Sequence, residues 1–314
     1  MIKTNSIPKF STGLNPIKAT FNQRKRFRHK RALEGNHPIW TSAYVADDPI
    51  PERITMQDFG YPESDLARHD GRLDDTAVVT PIRLFTEEGS RLLSRVCKHL
   101  EKHAVESDFI ISRRTRGGDL ISPFLYNMLR DRQLLVRMSK IAGVPLLPHV
   151  VRDAAVQINY YSPESGPSKE IGKWHVDGME YVFTILMTDP SEFTGGQFGY
   201  YFGRQDEFDN STSREDRVKV APLERLGDGI FARGAHIYHG VSPVESGSRM
   251  VLTLSMMSPA FVQRDPNTFS HIAADDGIIH TIPNWLRLKW PTHNPFRDYA
   301  LRSGSPVITW NDIN

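Results

Sequence analysis

Residues 248–257 read Ser248-Arg249-Met250-Val251-Leu252-Thr253-Leu254-Ser255-Met256-Met257. Side chains alternate between the two faces of a strand, so Val251, Thr253 and Ser255 share one face and Met250, Leu252, Leu254 and Met256 the other. One strongly apolar face and one mixed face belong to a sheet with packed helices on one side and a cavity on the other. Upstream, the segments 153–161, 173–178, 181–188, 195–202, 218–223 and 228–239 are short, rich in β-branched and aromatic residues, and separated by turn formers. Seven strands preceded by helices predict a mainly β protein with flanking helices. The expected form is a double-stranded β-helix, or jelly roll, of cupin-like type with helices packed on one sheet.

Ahead of the strands, Thr86 can cap a helix over Glu87–His103 whose apolar stripe is Leu92, Leu93, Val96, Cys97 and Leu100. Cys97 lies on that stripe, which makes it a packed thiol and not a nucleophile. A second helical stretch starts with Ser122 as cap and Pro123 in the first turn, continues with a break to Ile141, and ends at Gly143. The chain divides into an irregular N-terminal extension with a basic leader (1–80), a helical support region (81–150), the β core (151–258) and a C-terminal packing segment (259–314). All four are expected to form one structural domain.

With 314 residues, 39% hydrophobic and 24% charged, the chain can build a large core without disulfides. Its single cysteine points to a reducing intracellular compartment. No apolar run is long enough for a membrane span, and the first residues lack the apolar stretch of a secretory signal. The sequon at Asn210 is therefore expected to be idle. The net charge of +2 conceals an asymmetry: residues 1–35 hold nine Lys or Arg and one acid, while the rest hold 30 basic and 36 acidic residues. The basic run Arg24-Lys25-Arg26-Phe27-Arg28-His29-Lys30-Arg31 is open to four readings: a nucleic-acid arm, a nuclear address, an organelle transit segment, or a solvated stretch lying on the acidic body. The last is preferred, because basic runs alone carry little information.

In Trp174-His175-Val176-Asp177-Gly178, an imidazole and a carboxylate two positions apart project to the same side of a strand. Two ligands hold a metal weakly, and His239, 64 residues later, supplies a third. Two histidines and one carboxylate on one face of a metal leave positions open, the arrangement of non-haem iron(II) oxygenases. Alone, the pair is a weak signal. The downstream run is stronger: Gly227-Asp228-Gly229-Ile230-Phe231, then Ala235-His236-Ile237-Tyr238-His239-Gly240-Val241-Ser242-Pro243-Val244, then Arg249 ten residues after His239.

With Gly195-Gly196-Gln197-Phe198 between the two halves, this pattern over residues 154–258, about a third of the chain, resembles the iron(II)/2-oxoglutarate dioxygenases, in particular the prolyl 4-hydroxylase-like branch. The resemblance implies that His175, Asp177 and His239 bind Fe(II), and that Arg249 grips the distal carboxylate of the 2-oxoglutarate cosubstrate through its planar fork. Tyr160, in Gln157-Ile158-Asn159-Tyr160, resembles the family's carboxylate-assisting tyrosine, with Tyr161 as the alternative. Residues 162–172 are an insertion relative to the family. Val251 replaces the serine of plant-type relatives, and Ser255 replaces the second arginine of AlkB-type demethylases, which argues against a nucleic-acid substrate. Halogenating relatives lack the carboxylate that this chain keeps as Asp177. Gly195 and Gly196 are read as a turn.

The implied reaction consumes O2 and 2-oxoglutarate, releases succinate and carbon dioxide, and hydroxylates an unactivated C–H bond, with ascorbate as an accessory reductant. The expected substrate is a small amino-acid-like or natural-product molecule, with a peptidyl proline second. Outside this class, a cupin-like metalloenzyme without 2-oxoglutarate and a non-catalytic binding module are the competing readings. Residues 104–121, 162–172 and 204–217 are expected at the mouth of the barrel. There Tyr161, Arg113 and Arg116 are candidate substrate contacts, although solvation is the preferred reading for the arginines.

Overall fold

The computed structural model describes residues 38–106, 113–163, 172–208 and 215–314. The basic run 24–31 and the Asn210 sequon lie outside them. Ten strands matter for the site: β1 (Thr76–Arg83), β2 (Arg113–Arg116), β3 (Val156–Tyr161), β4 (Gly172–His175), β5 (Tyr181–Leu186), β6 (Phe198–Tyr201), β7 (Val218–Val220), β8 (Asp228–Arg233), β9 (His239–Val241) and β10 (Arg249–Met257). The larger sheet runs β1-β8-β5-β10-β3-β2, extended at its ends by short strands at Ile54–Thr55 and Val105–Glu106, and a second sheet runs β7-β6-β9-β4. Every pairing in these sheets is antiparallel.

Period-two alternation sorts the larger sheet into two cores. Phe183, Ile185, Phe231, Leu252, Leu254 and Met256 turn toward the helices and join one buried cluster. Ile230, Ala232, Val251 and Tyr161 turn the other way and join Phe198, Tyr200 and Val241 of the second sheet in another. The mixed face of β10 thus lines the space between the sheets.

The helices behind the larger sheet are α1 (Glu87–His99), α2 (Pro123–Leu129) and α3 (Arg132–Ala142). Thr86 caps α1 by accepting from the Gly89 amide, and a 3-10 turn over Leu100–His103 finishes the stretch expected to be one helix. The break between α2 and α3 has a local cause. Asp131 accepts from the amides of Gln133 and Leu134, and so starts a new helix instead of continuing the old one. Gly143, at φ +76°, ends α3. Cys97 is fully buried on α1, and burial pushes its thiol pKa up.

Two expectations change. Residues 76–83, expected to straddle the irregular extension and the helical support region, form β1; the run is largely apolar, but Pro81 reads as a strand breaker. The 228–239 segment is two strands, because a turn at 234–236 interrupts it. After β10 come α4 (Phe269–Asp276), α5 (Ile278–Lys289) and α6 (Pro295–Ser303). No helix among the described residues is long and apolar enough to cross a membrane.

Candidate metal centre

His175 is the last residue of β4 and His239 the first of β9, and the two are direct cross-strand partners. Opposed positions send both side chains to one face, and the imidazole centroids lie 4.4 Å apart. Asp177 follows two residues beyond His175, where its amide donates to the Gly234 carbonyl at 2.8 Å. Its Oδ1 is 3.4 Å from His175 Nε2, and its Oδ2 is 3.5 Å from His239 Nε2. One donor atom from each of the three residues falls within 4.8 Å of the others, the only such cluster among the described residues.

The surroundings set the form of each ligand. His239 Nδ1–H donates to the Ile237 carbonyl at 2.9 Å, which leaves the Nε2 lone pair facing the cluster. Phe198 stacks on the same ring, with centroids 5.4 Å apart. Burial pulls the His239 pKa down, and the neighbouring His175 adds to that, against the pull of Asp177. Burial opposes charge on Asp177 too, but His239, His175 and His271 outweigh it and hold its carboxyl below the usual range. A neutral imidazole and an ionised carboxylate are the forms that bind a divalent metal.

Arg249 opens β10, paired with Tyr161 of β3. It is 2% exposed, its guanidinium carbon lies 5.3 Å from the Tyr161 ring centroid, and its Nη1 has no hydrogen-bond partner among the described residues. Burial lowers its pKa, offset in part by the charge and hydrogen bond of Tyr161. Tyr161 is within electrostatic reach of both Arg249 and Asp177. Gly196, read as a plain turn, makes room for this arginine. Its φ is +64°, and a Cβ there would lie 2.8 Å from Arg249 Cδ.

Three candidate residues move. Tyr160 faces the helices, because β3 alternates: its hydroxyl donates to the Cys97 carbonyl at 2.8 Å, and burial raises its pKa. It is Tyr161, not Tyr160, that meets Arg249. Arg113, paired with Tyr160, shares that outer face and binds Glu101 at 2.6 Å, away from the metal cluster. Arg116 does face the interior, yet it is neither solvated nor free for a substrate. Its Nε and Nη2 grip the two oxygens of Asp276 at 2.9 and 2.8 Å, and its Nη1 meets Gln157 and Asp275. Arg114 is likewise buried against Asp275. No acid in 259–314 had been linked to these arginines, because long-range ion pairs leave no local pattern.

Two cavities meet at Asp177, Gly178 and His271. One of about 680 Å³ is lined by residues including Tyr61, Leu66, Glu180 and His236, and one of about 90 Å³ by Arg114, Gln157, His175 and Ser255 among others. Among the described residues the lining of the larger cavity comes largely from 56–67 and 264–274 with Gln205 from 204–217, and Arg114 and Arg116 from 104–121 line the smaller one. Much of 162–172 and of 204–217 lies outside the described residues. Behind the larger cavity, Arg233 is held between Asp74 at 2.9 Å and Glu180 at 2.6 Å. Burial works against the Glu180 charge, but Arg233 and then His236 pull its pKa down to about 2.

No family model and no curated protein matches the chain. Solved structures of similar fold include the non-heme alpha ketoglutarate dependent epimerase SnoN from nogalamycin biosynthesis, 15% identical, covering 58% of this chain and 79% of that one at a TM-score of 0.46. The carbocyclase SnoK from the same biosynthesis is 18% identical, covering 58% and 80% at 0.45. HygX from Streptomyces hygroscopicus, with nickel and 2-oxoglutarate bound, is 17% identical, covering 58% and 83% at 0.40.

Proposed function

We propose that the chain is an iron(II)- and 2-oxoglutarate-dependent oxygenase on a double-stranded β-helix, with His175, Asp177 and His239 as metal ligands and Arg249, assisted by Tyr161, as the cosubstrate anchor. One observation carries this reading. A cluster of two imidazoles and one carboxylate shares the space between the sheets with a buried guanidinium that makes no ion pair with an acid among the described residues. The donor set suits iron(II) and leaves coordination positions open. Taking a lone cation out of water costs on the order of several kcal/mol, and a carboxylate binding in its fork offsets that cost. A 2-oxo dicarboxylate has one end for each feature. A cupin-like metalloenzyme without it would leave Arg249 unexplained.

Bound iron(II) supplies oxygen activation coupled to decarboxylation of 2-oxoglutarate to succinate and carbon dioxide. The residues of the chain orient and insulate. His239 is locked in one tautomer by Ile237, Asp177 is kept ionised by its histidines, and Arg249 fixes the far end of the cosubstrate. The cavity of about 680 Å³ adjoining Asp177 lies within the ~300–1,000 Å³ of small-molecule sites. That supports a natural-product or amino-acid-like substrate over a peptidyl proline, with hydroxylation of an unactivated C–H as the outcome. The spacing from His239 to Pro243, Val244 and Arg249 supports the prolyl 4-hydroxylase-like branch.

Anaerobic addition of Fe(II) and 2-oxoglutarate tests the proposal. The wild-type chain should develop the visible charge-transfer absorption of the chelate, His175→Ala should not, and Arg249→Ala should need far more 2-oxoglutarate. Absence of the band in folded wild-type protein would overturn it.

A further inference from the structure

The C-terminal segment reaches the metal cluster through α4. His271, on its first turn, packs directly on the backbone that follows Asp177. A Cβ built on Gly178 would lie 2.6 Å from His271 Cε1 and 2.8 Å from its Nδ1, so only glycine admits the imidazole there. His271 also walls both cavities that Asp177 borders. Its imidazole lies within electrostatic reach of Asp177 on one side and of Asp275, four residues along the same helix, on the other.

Helix α4 is anchored at both ends. At its C-terminal end, Asp275 and Asp276 enter a buried cluster with Arg114 and Arg116 of β2. At its start, Thr268 caps the helix by accepting from the His271 amide, and Asp265 binds His149 at 2.8 Å. Buried ion pairs add little net stability, because desolvation consumes the Coulomb gain; what they can contribute is a fixed register. Here the fixed register is that of the helix carrying His271.

We propose that His271 is a positioning residue for the metal's carboxylate ligand: braced by the Arg114–Arg116–Asp275–Asp276 cluster, its imidazole holds the Asp177-Gly178 turn so that the carboxylate faces His175 and His239. This rests on the metal assignment above. Partners outside the coordination sphere orient ligating side chains, and losing one typically costs about 10–100-fold in metal affinity.

Co(II) titration of the full chain, read from its d–d absorption, tests this without turnover. His271→Ala should weaken Co(II) binding by about tenfold or more and alter the band pattern, while thermal unfolding stays near wild type. His271→Asn, whose amide nitrogen can stand near the place of Nδ1, should recover part of the affinity. Wild-type affinity and spectrum in folded His271→Ala would overturn the proposal. The His175→Ala control separates this from failure of the metal assignment itself. If that variant binds Co(II) as wild type does, the centre is elsewhere; if it does not bind while His271→Ala binds normally, only the role of His271 falls.

Discussion

Arg116 and Arg249 sit on the two strands that flank β3, both facing the space between the sheets, one opposite Gln157 and the other opposite Tyr161. Both are nearly inaccessible, at 6% and 2% exposure. Their partners differ completely. Arg116 is held bidentately by Asp276, with Asp275 and Gln157 on its remaining nitrogen. Among the described residues Arg249 has a tyrosine and no acid in an ion pair with it, and one of its nitrogens has no partner. A buried cation neutralised by its own chain is scaffold. One left without an acid is equipped to take an anion from outside. The same residue type on one sheet face thus has two different surroundings, and the difference lies in the acids that α4 brings.

The largest effect expected from this contrast is on stability. Asp276→Asn keeps the size of the side chain but leaves Arg116 buried beside a neutral amide. Breaking a buried pair from one side costs about 3–5 kcal/mol, so the urea midpoint should fall steeply. A loss under about 1 kcal/mol would mean that Arg116 is not scaffold and that the contrast is false.

Arg249→Met tests the other half and should move stability the opposite way. Removing an isolated buried charge for an apolar chain of similar length should leave the melting temperature unchanged or raise it. Affinity for 2-oxoglutarate, measured on the metal-loaded protein, should drop by about 30–100-fold, the loss of roughly 2–3 kcal/mol of charge-assisted hydrogen bonding. If the variant instead unfolds as Asp276→Asn does, Arg249 is a structural cation like its neighbour.

This contrast also marks where sequence reading reaches its limit. The members of the candidate cluster were legible because they form a residue pattern: His175 and Asp177 stand two apart, and Arg249 follows His239 by ten positions, although β4 ends at His175 and β9 and β10 lie in different sheets. Most strands and the capped helices were legible for the same reason. Tyr160 was misassigned because β3 is apolar or hydrogen-bonded on both faces, so the choice between Tyr160 and Tyr161 depends on its register with β10, which no local pattern states. The role of 259–314 was invisible. Asp275 and Asp276 reach Arg114 and Arg116 across about 160 residues, and a pair of acids in a helix reads as a solvated face until the fold supplies its partners. His271 and Asp275, four apart, carried the single local hint, a helical face with an imidazole and a carboxylate.

The smallest expected effect sharpens the contrast at that misassigned tyrosine. Tyr161 and Tyr160 are adjacent, both buried, and point to opposite faces of β3. Tyr161→Phe removes the hydroxyl beside Arg249 and should raise the 2-oxoglutarate dissociation constant by about 3–10-fold, the value of one hydrogen bond near 1 kcal/mol. Tyr160→Phe removes the donor to the Cys97 carbonyl on the far side of the sheet. It should cost about 1 kcal/mol of stability and leave cosubstrate binding untouched. The two variants differ by one position in sequence, so a reversed outcome would mean that the register of β3 against β10 is shifted by a residue. Tyr160, and not Tyr161, would then stand opposite Arg249 on the face that looks between the sheets.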